Sequence, residues 1–353
     1  MDKIIGIEKE EKEKQKKFSF YLGGLVIFLL SCFIYYLIKG ILDEKELSLL
    51  YQFLTSLAFS LIFCLLPDLV FSLPLLFKKE LSFSKRIQEY LQLILSSHAY
   101  LYGILLFLIL PLGLKWYEIA IPAVSGILLS RFMKLIFSQR FINPALAARI
   151  MAEIFFKKSF LNATGVISFD LASFVDSEGI NLWNLFVGDR LGILGEPFIL
   201  SLAVIGIFFV SLKILSCQES LAFLLSMYLS FVLAFAGLNP SFTVFQSSLV
   251  YLFSGGIVFA SVFFLSNPLI HSFSKETRMV SLLLSVLITV CIRFYAKTEG
   301  VYLGLVLGFI VASFYESFLN KAKKRKLVFA LTSLLLLLTI LAVSLTYRFV
   351  SPL

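Results

Sequence analysis

Long apolar runs recur along almost the whole chain. Most are about 20 residues long, the length that a helix needs to cross the hydrocarbon layer of a membrane. The 353 residues are 59% hydrophobic and only 15% charged, so one water-soluble core cannot bury the apolar surface. A transmembrane barrel would instead show short strands of alternating polarity. The sequence therefore predicts an all-α, polytopic membrane protein.

Eleven apolar segments are candidate membrane spans. The fifth is short, and the second is long and contains Pro67 and Pro74, which predicts a kink or a break. The first has no small-residue cleavage pattern after it and is interpreted as a retained span. The segments are 18–40, 48–77, 91–112, 117–137, 144–157, 191–214, 219–237, 246–266, 279–296, 301–319 and 327–347.

Basic residues cluster at the ends of these segments. The net charge is +9, but this distribution favours membrane orientation over nucleic-acid binding. With eleven spans, the clusters fall on every second loop, which predicts a cytoplasmic N-terminus. The basic residues are Lys12, Lys14, Lys16, Lys17, Lys78, Lys79, Lys85, Arg86, Arg131, Lys134, Arg140, Lys213, Lys275, Arg278, Lys321, Lys323, Lys324, Arg325 and Lys326.

The longest interior loop, residues 158–190, follows the fifth span and is predicted to lie on the outer face. Five spans precede it and five follow, before an extra one at the C-terminus, so two equivalent halves of five spans would have opposite orientations, as in many transporters. We therefore expect a cytoplasmic tail (1–17), two membrane halves (18–157 and 191–320) around the loop, and a basic linker with an extra helix (321–353). No residue-level repeat supports the symmetry.

The sequence contains no phosphate-binding glycine loop, nucleophile elbow or zinc-binding helix motif. Only two histidines are present, so a histidine-built metal site has few ligands. The cysteines are far apart in or beside apolar runs, which predicts packing roles and no metal site. They are Cys32, Cys64, Cys217 and Cys291.

Two acidic residues are candidates for an ion path. Asp68 lies in the second apolar segment, where a carboxylate is costly unless it is paired, hydrated or functional. It would suit Na⁺ or a proton equally. The alternative is that Pro67 and Asp68 cap a broken helix. Glu196 precedes the sixth span, where a favourable charge at a helix N-terminus is the simpler explanation.

The segment QRFINPALAARI opens the fifth span with unusual polarity. Asn143 is predicted to cap this helix, with Pro144 in its first turn. Arg149 and Glu153 are four residues apart and are expected to pair on one helix face. The alternative is an ordinary cap with arginines that face lipid headgroups.

Three segments in order, 98–150, 247–269 and 292–309, resemble the RnfD/NqrB family. These proteins are the D subunit of the Rnf electron-transport complex and the B subunit of the sodium-pumping NADH:quinone oxidoreductase. Departures include an added span and an Asn-Pro where the family has Asp-Pro, so the chain resembles a divergent member. The matching positions are Phe141, Asn143, Pro144, Ala145, Asn267, Pro268, Arg293, Glu299 and Gly300.

The resemblance implies a membrane subunit that helps couple flavin-based electron transfer to movement of Na⁺ or H⁺. It also implies a location in the bacterial cytoplasmic (inner) membrane, with other subunits of an Rnf/Nqr-type complex as partners. Two alternatives remain: a solute transporter or channel on the same scaffold, and a structural subunit without redox work.

Family members commonly carry FMN joined to a threonine of the outer loop. Aligning back from NLFVGDRLGILGE places Phe169 at that threonine, and phenylalanine has no hydroxyl to form the phosphoester. Ser168, Thr164 and Ser173 are the alternative acceptors. The resemblance therefore implies FMN or riboflavin as the cofactor, with covalent attachment not expected at Phe169.

Overall fold

A computed structural model describes residues 2–42, 47–74, 83–137, 142–164, 193–195, 198–238, 243–268, 274–296 and 299–319. These residues form helices and turns, with no strand among them. The predicted all-α class is therefore confirmed.

The chain divides into two compact units. Unit A comprises residues 32–165, and unit B comprises residues 1–31 with 166–353. The first helix, α1 (Asp2–Leu42), has residues in both.

Unit A contains six further helices. Helix α2 packs on α4 and α5, and α5 packs on α6. The short helices α4 and α6 begin near polar side chains of this unit. The first candidate site lies at these helix starts. The helices are α2 (Leu47–Ser72), α3 (Phe83–Ser97), α4 (Ala99–Ile109), α5 (Trp116–Phe137), α6 (Pro144–Phe155) and α7 (Lys157–Thr164).

Unit B contains the other described helices, two of which run into π-helical turns. Helix α11 continues as the π turn Ala260–Phe264, and α12 continues as the π turn Ile292–Ala296. The helices are α8 (Ile199–Ser211), α9 (Cys217–Leu238), α10 (Thr243–Phe253), α11 (Ile257–Phe259), α12 (Lys275–Cys291) and α13 (Val301–Leu319).

The two units share one order of packing. In unit B, α9 packs on α10 and α12, and α12 packs on α13. This is the order that α2, α4, α5 and α6 follow in unit A. Such agreement is what duplicated halves would produce, whereas the opposite orientation of the halves stays a prediction.

The helices support a multi-pass membrane protein. Among the described residues, five helices are long and apolar enough to cross a membrane, or six if the bent pair Val244–Phe253 and Ile257–Phe264 is one span. Each of the first ten predicted spans contains a helix. The number of crossings stays a prediction, and the eleventh segment, 327–347, lies outside the described residues.

Aromatic side chains join the N-terminal part of α1 to the rest of unit B. The Tyr21 hydroxyl donates a hydrogen bond to the Phe263 carbonyl oxygen at 2.8 Å. The rings of Phe28 and Phe263 lie 5.5 Å apart, and those of Tyr21 and Phe209 lie 5.7 Å apart. These contacts satisfy the one polar group of a buried aromatic cluster.

Helices α12 and α13 contact each other through small residues. A Cβ atom added to Gly304 would lie 2.7 Å from the Ser285 carbonyl oxygen, and one added to Gly308 would lie 2.7 Å from the Ser281 carbonyl oxygen. The hydroxyls of Ser285 and Thr289 donate to carbonyls one turn earlier, each at 2.7 Å. Close backbone approach of this kind replaces the missing hydrophobic driving force between helices in a membrane.

We predict that Gly308→Ala lowers the melting temperature of the detergent-purified protein. The new methyl group would force α12 and α13 apart, and overpacking of this kind costs about 1–3 kcal/mol. Gly23→Ala is the matched control, because nothing lies within 4 Å of a Cβ atom at that helical position. The control should match or exceed the wild-type melting temperature. Equal melting temperatures for the two variants would contradict the close contact of α12 and α13 at Gly308.

Candidate functional site

A buried carboxylate and an arginine form an ion pair in unit A. Only 2% of the Asp68 side chain is exposed, and its carboxylate pairs with Arg131 of α5, whose side chain is 37% exposed. Helix α2 runs through Pro67 to Ser72, so a break at Pro67 is wrong, whereas the alternative of a kink stays a prediction. Asp68 therefore lies inside a continuous helix and is not the cap of a broken one.

A small cavity lies beside this ion pair. Its volume is about 40 Å³, and one water needs about 10–15 Å³, so it has room for two or three waters or a small ion. Its polar lining consists of Asp68, Ser97, Tyr102, Ser130 and Arg131.

Two helices begin at the same cavity. Ala99, the first residue of α4, and Pro144, the first residue of α6, both line it. The N-terminal end of a helix carries partial positive charge. Together with Arg131, these ends make the surroundings of the cavity electropositive, and Asp68 supplies a compensating negative charge.

The start of α6 has the predicted cap. The Asn143 side-chain oxygen accepts a hydrogen bond from the Ala145 amide at 2.8 Å, with Pro144 in the first turn. The Ser130 hydroxyl donates to the Ile142 carbonyl at 3.1 Å and so ties the segment before α6 to α5. The Asn143 amide nitrogen is buried and has no hydrogen-bond partner among the described residues.

The predicted pair on α6 is also present. The Arg149 guanidinium lies 2.9 Å from the Glu153 carboxylate, with 1% of the arginine side chain and 33% of the glutamate side chain exposed. The guanidinium carbon also lies 3.9 Å from the centre of the Phe160 ring. A buried arginine is thus held by a carboxylate and an aromatic face.

Unit B contains an interrupted helix. The axes of Val244–Phe253 and Ile257–Phe264 meet at 62°. The break contains Gly255, whose φ of +79° is readily adopted only by glycine. The break exposes the carbonyls at the end of one helix segment and the amides at the start of the next.

Arg293 satisfies the carbonyls at this break. Its Nη1 donates to the Tyr251 carbonyl at 2.9 Å, and its Nη2 donates to the Ser254 carbonyl at 3.1 Å. Its Nε donates to the Glu299 carbonyl at 2.8 Å. Arg293 is fully buried, so its charge is stabilised by these three carbonyls and by the nearby rings of Tyr251 and Phe231.

Glu299 satisfies the other side of the break. Its Oε1 accepts a hydrogen bond from the Gly256 amide at 2.7 Å, which places a carboxylate at the start of α11. A Cβ atom on residue 256 would lie 2.5 Å from Tyr302 Cζ and 2.8 Å from Glu299 Oε1. A side chain at this position would therefore displace Tyr302 or Glu299. Gly300, the next residue of this turn, has a φ of +68°.

The remaining predicted site residues are distributed unevenly. Asn267 is buried three residues after the last residue of the π turn, and Pro268 follows it. Thr164 ends α7, but its side chain is not described. Four others lie outside the described residues: Phe141, Ser168, Phe169 and Ser173. Glu196 also lies outside them.

The sequence did not identify Arg131 as a site residue. Its charge was assigned to a basic cluster that sets orientation, although it lies within the apolar segment 117–137. A charge inside such a segment needs a partner. That requirement was the signal that could have linked it to Asp68.

The described units define a class of protein. It is a polytopic, all-α membrane protein in which buried charged side chains hold interrupted and short helices. The family model of the NQR2, RnfD, RnfE family matches residues 46–325, most of the chain, and the protein belongs to this family. No curated protein sequence matches the chain.

We predict that Arg293→Met destabilises the protein strongly. The buried Ser254 carbonyl would lose the arginine donor, whereas the Tyr251 and Glu299 carbonyls would each keep one other donor, the Ser254 hydroxyl and the Val301 amide. An unsatisfied buried group costs about 1–3 kcal/mol, and the buried positive charge that all three carbonyls stabilise would also be lost. The control is Lys275→Met, because Lys275 is an exposed cation at the start of the same helix. Size-exclusion profiles and melting temperatures should separate the two variants. A similar loss of melting temperature in both variants would contradict the conclusion that the hydrogen bonds of Arg293 stabilise the break.

Proposed function

We propose that the protein is the membrane subunit of an Rnf/Nqr-type complex that couples flavin-based electron transfer to movement of Na⁺ or H⁺. Family membership and the multi-pass architecture support this role. The observation that carries the ion-coupling part is the buried Asp68 carboxylate beside a cavity of about 40 Å³. A cavity of this size suits waters and a small cation.

The oxygens around this cavity suit a hard cation. The Asp68 carboxylate and the hydroxyls of Ser97, Tyr102 and Ser130 line it, and hard cations prefer oxygen ligands. A proton would be carried by the carboxylate itself. Glu196 is a second candidate for the ion path.

The flavin would be held elsewhere. Cofactor pockets usually measure about 300–1,000 Å³, so the Asp68 cavity does not accommodate a flavin. Phe169 occupies the family's covalent attachment position by alignment, so we propose that any FMN or riboflavin is bound without a covalent bond. The proposed location is the bacterial inner membrane, with a cytoplasmic N-terminus and other complex subunits as partners.

We predict that Asp68→Asn abolishes ion pumping by the assembled complex in proteoliposomes. The amide keeps the shape of the side chain but loses the charge that binds a cation. Glu153→Gln is the matched control, since Glu153 is a more exposed carboxylate paired with an arginine in the same unit. Normal pumping by an assembled Asp68→Asn complex would exclude this role. Uptake of a solute by the isolated wild-type chain would instead favour the channel alternative.

We predict that the mature chain carries no covalent flavin. Intact mass spectrometry of protein from native membranes should give the mass of the unmodified polypeptide, and a denaturing gel should show no flavin fluorescence. A mass increase equal to FMN would refute the proposal, and fragment masses would show whether Ser168, Thr164 or Ser173 is the acceptor.

A further inference from the structure

We propose that Arg131 occupies the cation position at Asp68 and must leave it before a transported cation can bind. This inference rests on the proposed role of Asp68 in the ion path. The guanidinium would act as an internal competitor: it holds the site closed between transport steps and returns when the cation leaves.

The exposures of the two side chains show which partner can move. Asp68 is 2% exposed inside α2, whereas Arg131 is 37% exposed on α5. The buried carboxylate is surrounded by α4 and α5, against which α2 packs. The arginine has a long flexible side chain with one side open, so the site opens by movement of Arg131.

The Arg131 guanidinium has an aromatic neighbour in addition to Asp68. The guanidinium carbon of Arg131 lies 5.3 Å from the centre of the Phe71 ring, and Phe71 is 63% exposed. An aromatic face attracts a guanidinium. Arg131 can therefore leave Asp68 and remain on the Phe71 ring, without a fully unpaired state.

The electrostatics allow one positive charge at the site at a time. With Arg131 in place, the guanidinium and the N-terminal ends of α4 and α6 repel a further cation. After Arg131 leaves, the cavity presents the Asp68 carboxylate and the hydroxyl oxygens of Ser97 and Ser130. An unpaired buried carboxylate is strongly unfavourable, so it should take up Na⁺ or a proton.

The pair on α6 has the reverse arrangement. There the arginine is buried and fixed, with Arg149 at 1% exposure, and the carboxylate of Glu153 is the more exposed partner. That geometry leaves no buried carboxylate to receive a cation. The two ion pairs of unit A therefore have different capacities, although each joins an arginine to a carboxylate.

The inference is tested with the purified full-length chain and Arg131→Gln. Melting temperatures are measured as NaCl replaces choline chloride at constant ionic strength, and again over a pH series below neutrality. We expect Arg131→Gln to be stabilised at a cation concentration about tenfold or more below that needed by the wild type. Stabilisation in the Na⁺ series identifies Na⁺, and stabilisation only in the pH series identifies a proton.

Three variants serve as controls. Arg131→Lys keeps a positive charge and should retain the weak cation response of the wild type. The double variant Asp68→Asn, Arg131→Gln should lose the enhanced response, because no carboxylate remains. Lys17→Gln removes a cation of the same exposure, 37%, whose partner Glu13 is 67% exposed, and should respond like the wild type.

Two results would overturn the inference. One is a response of Arg131→Gln that equals that of the wild type in both series. The other is failure of Arg131→Gln to fold at any cation concentration, because a bound cation should replace the guanidinium. The proposed function is judged separately by pumping of the Asp68→Asn complex, so either idea can fail while the other stands.

Discussion

Every charge buried in this protein must find its partner inside the chain, because the hydrocarbon layer supplies no water. The structure meets this requirement in two ways. In unit A, arginines pair with carboxylates at Asp68 and Glu153. In unit B, Arg293 is stabilised by backbone carbonyls. The second arrangement is possible only because α10 ends at a break and leaves its last carbonyls without partners in their own helix.

The two units share one packing order, but the polar side chains at their helix starts differ. Ser130 in unit A and Arg293 in unit B both donate to a carbonyl just before a helix start, those of Ile142 and Glu299. In unit A this leaves a polar cavity near Asp68. In unit B the Arg293 side chain also donates to two carbonyls at the break, those of Tyr251 and Ser254.

Local patterns predicted the local structure well. The apolar runs predicted the helices, and the Asn143 cap and the Arg149–Glu153 pair follow from spacing within one turn. The Asp68–Arg131 pair was not predicted, since its members lie on different helices and only the packing of α2 on α5 brings them together. Likewise, Arg293 and Glu299 were identified by resemblance, but their hydrogen bonds across the break depend on tertiary structure. The prolines did not locate the end of the helix unambiguously, because Pro67 lies within α2, which ends at Ser72, two residues before Pro74.

The glycine contacts between α12 and α13 have a mechanical consequence. The close approach of the backbones at Gly304 and Gly308 leaves little room for side chains between the two helices there, so we expect α12 and α13 to move together. Arg293 and Glu299 attach the break between α10 and α11 to the end of this helix pair. If a neighbouring subunit displaced α12, the displacement would therefore be passed on to the break. We expect it to change the angle between the axes of α10 and α11.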